Sequence, residues 1–269
     1  MNIKKFLVGT ATGALMLGAL VVPVFASDTY NVSDQTGLET AITTATTGDT
    51  IELVNSFTVG HRVSVNKSIT IDGNGFTISP TFTKNGDNNA TLGIFGSNVT
   101  IKDLTINGTG GTNLHGINIY VATNILLDNV TVTDNDRTGV VVNGSTVTVN
   151  NITTSGNGWH GINVDQGGGV TTPAILTITG FSSQDDALQI YVDDTLKGVS
   201  VIDTLSQYTF QHINLQGTHP NDRLYTLIGA PVSKDECKKG GWMTFVNPSF
   251  SNQGACVSYV VSNDHAGKK

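Results

Sequence analysis

The residues best equipped for chemistry lie in two short motifs. Trp159-His160-Gly161 carries an imidazole, and Gln184-Asp185-Asp186-Ala187 carries two adjacent carboxylates. A histidine beside a carboxylate moves protons near neutral pH, and two carboxylates can divide the acid and base roles of glycoside hydrolysis. Arg137 supplies a cation in the same neighbourhood, so His160, Asp185, Asp186 and Arg137 form the catalytic candidate set. A second set, Asn118, Tyr120, Asn163, Asp165, Gln189 and Tyr191, has a different use. Amides and a carboxylate give directional hydrogen bonds, and phenol rings give apolar faces, which together suit a sugar chain. Ladders of asparagine also stabilise a sheet with no ligand, so both roles stand open at this level.

These residues can meet only if the chain brings them into register. The stretch from Asn98 to Val192 repeats three short β-type runs, as in Asn98-Val-Thr-Ile101, Asp103-Leu-Thr-Ile106 and Gly116-Ile-Asn-Ile119. The closing runs begin at Gly116, Gly139, Gly161 and Ala187, steps of 23, 22 and 26 residues. A period of this length without helical patterning marks one turn of a solenoid, whose apolar face is buried only by stacking on its neighbours. Aligning coils on Gly93, Gly116, Gly139, Gly161 and Ala187 places Phe95, Asn118, Val141, Asn163 and Gln189 in one outer column. Tyr120, Asn143, Asp165 and Tyr191 fall in another. Just before the anchor stand His115, Thr138, His160 and Asp186, and one step earlier Leu114, Arg137, Trp159 and Asp185. The alignment therefore puts His160 near Asp186, and Arg137 near Trp159 or Asp136.

On these runs the stretch from about residue 50 to 215 resembles the pectin-lyase-like superfamily. The resemblance implies an all-β chain folded as a single-stranded right-handed parallel β-helix. Gln184-Asp-Asp-Ala187 and Trp159-His-Gly161 are similar to the paired-Asp and Gly-His-Gly elements of polygalacturonase-type hydrolases, but here they occur in the reverse order. The Asn-Thr-Asp and Arg-Ile-Lys elements of those enzymes are absent. The lyases of the superfamily set basic residues beside calcium-binding carboxylates, whereas Lys102, Arg137 and Lys197 are nearly the only cations in the repeats. Calcium is possible at Asp134 and Asp136, Asp185 and Asp186, or Asp193 and Asp194, since hard cations take oxygen ligands. No other cofactor is expected, because the patterns that bind zinc are missing.

The flanks divide the chain further. Residues 1–26 read as a signal peptide, with Lys4 and Lys5, an apolar run and Val24-Phe-Ala26 before the cut, the alternative being an uncleaved anchor. Residues 27–49 form an N-terminal cap in which Leu38, Ala41, Ile42 and Ala45 share a helical face, started by Ser33 or Asp34 and ended by Gly48. Residues 50–230 form the β-helix, with a polar excursion over 79–91 of the kind that shapes grooves. Residues 231–269 are a separate module, read as two short helices around Cys237 and Cys256. In an exported chain those two cysteines pair most simply as a disulfide. The module resembles a Cys-pair motif at the ends of secreted bacterial proteins and is read as a cap for the last coil.

The formal charge is -7, and without Lys4 and Lys5 the 12 remaining basic residues face 21 acidic ones, a charge of -9. Nucleic acid and anionic lipid are poor partners for such a chain, which has no basic stripe. A secreted or cell-surface monomer is expected, with no membrane span after cleavage. Two functions fit. One is a protein of little or no catalytic power that binds extracellular polysaccharide or a cell-surface component. The other is a polysaccharide lyase or glycoside hydrolase acting on a uronate-containing glycan through His160, Asp185, Asp186 and Arg137.

Overall fold

Val, Ile and Leu alternate with Thr, Ser and Asn in each run, and a two-residue period on β-branched residues is the pattern of a half-buried strand. The computed structural model describes residues 27–166, 170–180, 182–186, 189–193, 199–203, 213–216, 224–227, 231, 233–244 and 250–266. The segment read as a signal peptide, the anchor Ala187, and Asp194, Lys197 and Phe245 lie outside them.

Each coil visits three sheets in turn. Thr100–Lys102, Thr105–Asn107 and His115–Tyr120 make one coil, and Ile125–Asp128, Thr131–Thr133 and Val140–Asn143 the next. All pairings between coils are parallel, giving sheets of nine, six and seven strands in a β-solenoid. Inward residues stack layer on layer. Ile51, Ile71, Ile101, Leu127, Val149 and Ile178 form one register column of the nine-stranded sheet, and all lie in the core. Burial of each such side chain stabilises the fold by about 1.5–3 kcal/mol, and only stacking provides it.

The turns explain the wealth of asparagine. Asp103, Asn129 and Asn151 follow successive strands of the nine-stranded sheet with φ of 49°, 54° and 52°. Asp and Asn tolerate this left-handed region better than other side-chain-bearing residues. Stacking then links them, since Asn129 Nδ2 donates to Asp103 Oδ1 at 2.6 Å.

The turn from the six-stranded to the seven-stranded sheet is built differently. Asn135 and Asn157 point inward and are 2% and 4% exposed. Asn135 Nδ2 donates to Asn157 Oδ1 at 2.8 Å, and Asn157 Nδ2 donates to Asp186 Oδ1 at 3.0 Å. The backbone N–H of Asn157 donates to the same carboxylate oxygen at 2.8 Å. Against this internal ladder lies the glycine column. A Cβ on Gly139 would stand 2.7 Å from Gly161 O and 2.9 Å from Asn157 Nδ2, and one on Gly161 would stand 2.6 Å from Asp186 Oδ2. The anchor glycines are thus imposed by the ladder they cover.

Both ends are closed. The helix Gln35–Thr44 is capped by Asp34, whose carboxylate accepts from Gly37 N at 2.8 Å, and it buries Leu38, Ala41 and Ile42. A strand not evident in the sequence, Thr29–Val32, precedes the helix and extends the nine-stranded sheet. At the other end Cys237 and Cys256 are bonded, and both are buried in the core. Ser233–Gly240, expected as a helix, is instead a series of turns with Lys239 and Gly240 at positive φ. A 3-10 helix, Gly241–Thr244, and the helix Gln253–Ala266 follow, with Trp242 and Phe250 packed on the core.

If the glycine column is imposed by the ladder, Gly139→Ala lowers unfolding stability by about 1–3 kcal/mol, as overpacking does. Gly60→Ala, whose Cβ would find its nearest neighbour at 4.0 Å, leaves it nearly unchanged. Denaturant titration of the two variants checks the difference.

Candidate functional site

The ladder and the glycine that follows it hold three residues between them, and the last two of each three form a bridge. Arg137 and Thr138 bridge Asn135 to Gly139, and Trp159 and His160 bridge Asn157 to Gly161. These bridges stack. The Arg137 guanidinium lies 4.0 Å from the centroid of the Trp159 ring, a cation–π contact. Thr138 Oγ1 is 3.3 Å from His160 Nδ1, and Thr138 N donates to His115 Nδ1 at 3.2 Å. His115 meets Trp159 edge-on at 5.8 Å, and His160 stacks on Tyr191 at 4.6 Å with their planes 14° apart.

The outer face of the seven-stranded sheet is the floor beneath these groups. Asn118, Val141, Asn163 and Tyr191 are aligned across four strands, and Tyr120, Asn143 and Asp165 across three. This corrects the alignment read from the glycines at both of its ends. Tyr191, not Gln189, sits beside Asn163, and Asn118 is opposite Gly93, not Phe95. The physical reason at the later coil is a shorter turn. Asn157 precedes Ile162 by five residues, whereas Asp186 precedes its partner Ile190 by four, so Gln189 takes the glycine position.

A cavity of about 610 Å³ results, lined by the two bridges, His115, the amides of Asn89, Asn118, Asn143 and Asn163, and by Val141, Asp165 and Tyr191. Six of the residues singled out from sequence meet there: Arg137, His160, Asn118, Asn163, Asp165 and Tyr191. Tyr120 borders an adjoining cavity of about 340 Å³ that shares Asn89, Asn118 and Asn143 with the first.

The expected grouping of His160 with both carboxylates does not form. Asp185 is exposed on the six-stranded sheet, in register with Ser155 on its outer face. Asp186 turns inward to the end of the asparagine ladder, where Oδ1 already accepts two hydrogen bonds from Asn157. The two carboxylates diverge because neighbouring residues of an extended strand point to opposite faces. Gln189 is half-buried, and its backbone carbonyl accepts from Ile162 N at 2.8 Å. None of the three lines the cavity.

Asn89 was missed because it lies in the 79–91 excursion, outside any repeat. Of the two roles open to that loop, idle or groove-shaping, the second holds, since Asp87 and Asn89 line the cavities.

Electrostatics single out the bridge residues. Burial depresses His115 from its ordinary value to about 3, helped by the Arg137 charge, so it is neutral. Burial also lowers His160, against an opposing pull from the Asp186 charge. In the tautomer whose Nδ1–H donates to Thr138 Oγ1, Nε2 is the ring nitrogen left to act as an acceptor. Arg137 is half-buried and desolvation lowers its pKa, yet a guanidinium keeps its proton. Among the described residues no carboxylate forms an ion pair with it, and its Nε is buried without a hydrogen-bond partner. A desolvated cation without a counter-ion is costly, and an incoming anion relieves that cost.

Of the acidic residues considered for calcium, Asp194 lies outside the described residues, and Asp134 and Asp136 are engaged in turns. Asp134 accepts from Asn107 Nδ2 at 3.1 Å and Asp136 from Asn113 N at 2.7 Å, as turn-stabilising groups do. Among the described residues no three His, Cys, Asp or Glu side chains gather as a metal site.

No family model matches the sequence, and no curated protein does. Among solved structures, the chain is similar to an alginate lyase from Paenibacillus sp. str. FPU-7, with a TM-score of 0.52 and 21% identity over 66% of this chain. The chain spans 65% of that protein's length. It also aligns with ORF18 of Geobacillus virus E2, at a TM-score of 0.43 and 16% identity over 71% of this chain and 55% of that one. At 21% identity the likeness to the alginate lyase is one of fold alone.

Because folded His115 resists protonation while the unfolded chain accepts a proton near pH 6.5, stability is full above about pH 6.5 and falls as the pH drops towards the folded value, by at most about 1.4 kcal/mol per pH unit. His115→Gln flattens this slope above the range in which carboxylates titrate. Chemical denaturation at a series of pH values measures it, and an unchanged slope contradicts the assignment.

Proposed function

We propose that the groove on the seven-stranded sheet binds a carboxylate-bearing polysaccharide, a uronate polymer, outside the cytoplasm. The observation that carries this reading is Arg137, held over the Trp159 ring with no counter-ion among the described residues and surrounded by side-chain amides. Arginine pairs with a planar carboxylate through two parallel hydrogen bonds, and amides match sugar hydroxyls. An acidic chain that takes an acidic polymer needs such a placed cation, because its overall field repels the ligand. The resemblance to the pectin-lyase-like superfamily and the fold shared with an alginate lyase support a polysaccharide ligand. The Cys237–Cys256 disulfide supports an oxidising, extracellular location, and no helix among the described residues is long and apolar enough to cross a membrane.

A second reading, cleavage by elimination, is favoured by the His160–Tyr191 stack beside Arg137. Eliminating a uronate needs its carboxylate neutralised, the proton next to it removed, and the leaving oxygen protonated. Arg137 would neutralise the carboxylate, His160 Nε2 would take the proton, and the Tyr191 hydroxyl would protonate the leaving oxygen. Burial suits His160 to the base role, since it keeps the ring neutral. The paired-carboxylate route of a glycoside hydrolase finds less support, because Asp185 and Asp186 point apart.

Binding and cleavage are tested together with alginate, polygalacturonate and a neutral glucan, each with and without calcium. The wild-type protein retains a uronate polymer and not the glucan, and Arg137→Gln weakens retention by about 1.5–3 kcal/mol, the worth of a hydrogen bond to a charged group. Unsaturated products, if elimination occurs, fall at least about a hundredfold in His160→Ala and persist in Asp185→Asn. Equal retention of all three polymers, or no effect of Arg137→Gln, overturns the binding reading. Absence of unsaturated products leaves binding alone.

A further inference from the structure

The adjoining cavity of about 340 Å³ repeats the device found at Arg137. Arg62 lies over the Phe95 ring, 4.8 Å from its centroid, as Arg137 lies over Trp159. The pair is seated by Gly93, where a Cβ would come 2.7 Å from Phe95 Cε2 and 2.8 Å from Arg62 Cδ. One guanidinium nitrogen, Nη1, donates to the Asp87 carbonyl, which ties Arg62 to the 79–91 excursion. No ion pair to Arg62 occurs among the described residues, although the Asp87 charge acts on it through space. Tyr120, 39% exposed, stands on the same cavity and offers a ring face to a sugar.

The two arginines are a fixed distance apart along the solenoid. Arg62 precedes Val63, and Val63, Leu92, Ile117 and Val140 are successive register partners, so Arg62 lies three strand spacings from the coil of Arg137, about 14 Å. Asn89, Asn118 and Asn143 line both cavities and join them into one groove.

We propose that Arg62, Phe95 and Tyr120 form a second acidic-sugar subsite, so that the groove measures the length of an oligouronate and binds it fully only when it reaches both arginines. The inference rests on the reading of the Arg137 groove as a uronate site. An extended 1,4-linked pyranose chain advances by about one strand spacing per ring, so about four rings span the two cations. Asp87 opposes a carboxylate at the second subsite and moderates its strength.

The test is calorimetric titration of the whole protein with oligouronates of two to eight rings and with neutral oligosaccharides of the same lengths. Wild-type affinity steps up by about tenfold near four rings for the uronates alone, the worth of one charged hydrogen bond. Arg62→Gln removes the step and leaves the two-ring affinity unchanged, whereas Arg137→Gln weakens every length. Asp87→Asn enlarges the step. Gly93→Ala, which displaces the Arg62–Phe95 pair without removing a charge, also diminishes it.

A step that survives Arg62→Gln, or appears equally with neutral oligosaccharides, overturns the second subsite and leaves the first intact. Binding of short oligouronates that is indifferent to Arg137→Gln removes the underlying reading itself.

Discussion

The contact between the inward asparagine ladder and the glycine column above it governs the functional face. Asn135, Asn157 and Asp186 are joined side chain to side chain, and Gly139 and Gly161 leave no room for a Cβ against them. A buried amide left unsatisfied would cost about 1–3 kcal/mol, so the ladder tolerates little displacement. Three residues separate each ladder asparagine from its glycine, and the last two of them stand over the groove. Arg137, Thr138, Trp159 and His160 are those residues. Their mutual contacts follow from coil stacking, which needs no further support from loops.

The same constraint separates residues that look alike in sequence. Asp186 belongs to the ladder and Asp185 to the outer face of another sheet, so two adjacent carboxylates serve two unrelated surfaces. Asp186 still acts on the site, since its charge opposes the depression of His160. The result is a groove whose imidazoles are neutral and whose two guanidinium groups, each on an aromatic ring, share it with the carboxylates of Asp165 and Asp87. In a chain of net charge -7, these placed cations are what the proposed binding of an anionic polymer depends on.

Much of the fold was legible because solenoid physics writes itself into a short period. The three runs per coil, the inward Ile and Val, the helical face of Leu38, Ala41 and Ile42, and the pairing of Cys237 with Cys256 all appear as expected. The middle coils of the site were legible too, and of the two neighbours the alignment offered Arg137, Trp159 and Asp136, it is Trp159 that the guanidinium meets. The outer coils were not. Glycine marks the ladder and not the strand, so a turn one residue shorter moved Tyr191 into the place assigned to Gln189. Arg62 and Asn89 carry no repeat signal, because one ends a turn and the other lies in an insertion. Whether an Asp points into the solenoid or out of it depends on the ladder below, which a single coil's sequence does not reveal.

The most direct measurement is a crystal structure of the protein with a bound oligouronate. The account predicts the sugar chain along the seven-stranded sheet, with one carboxylate hydrogen-bonded to the Arg137 guanidinium while the ring of Trp159 remains beneath it. A chain lying on the six-stranded or nine-stranded sheet, or one in the groove with every carboxylate turned away from Arg137, would contradict it.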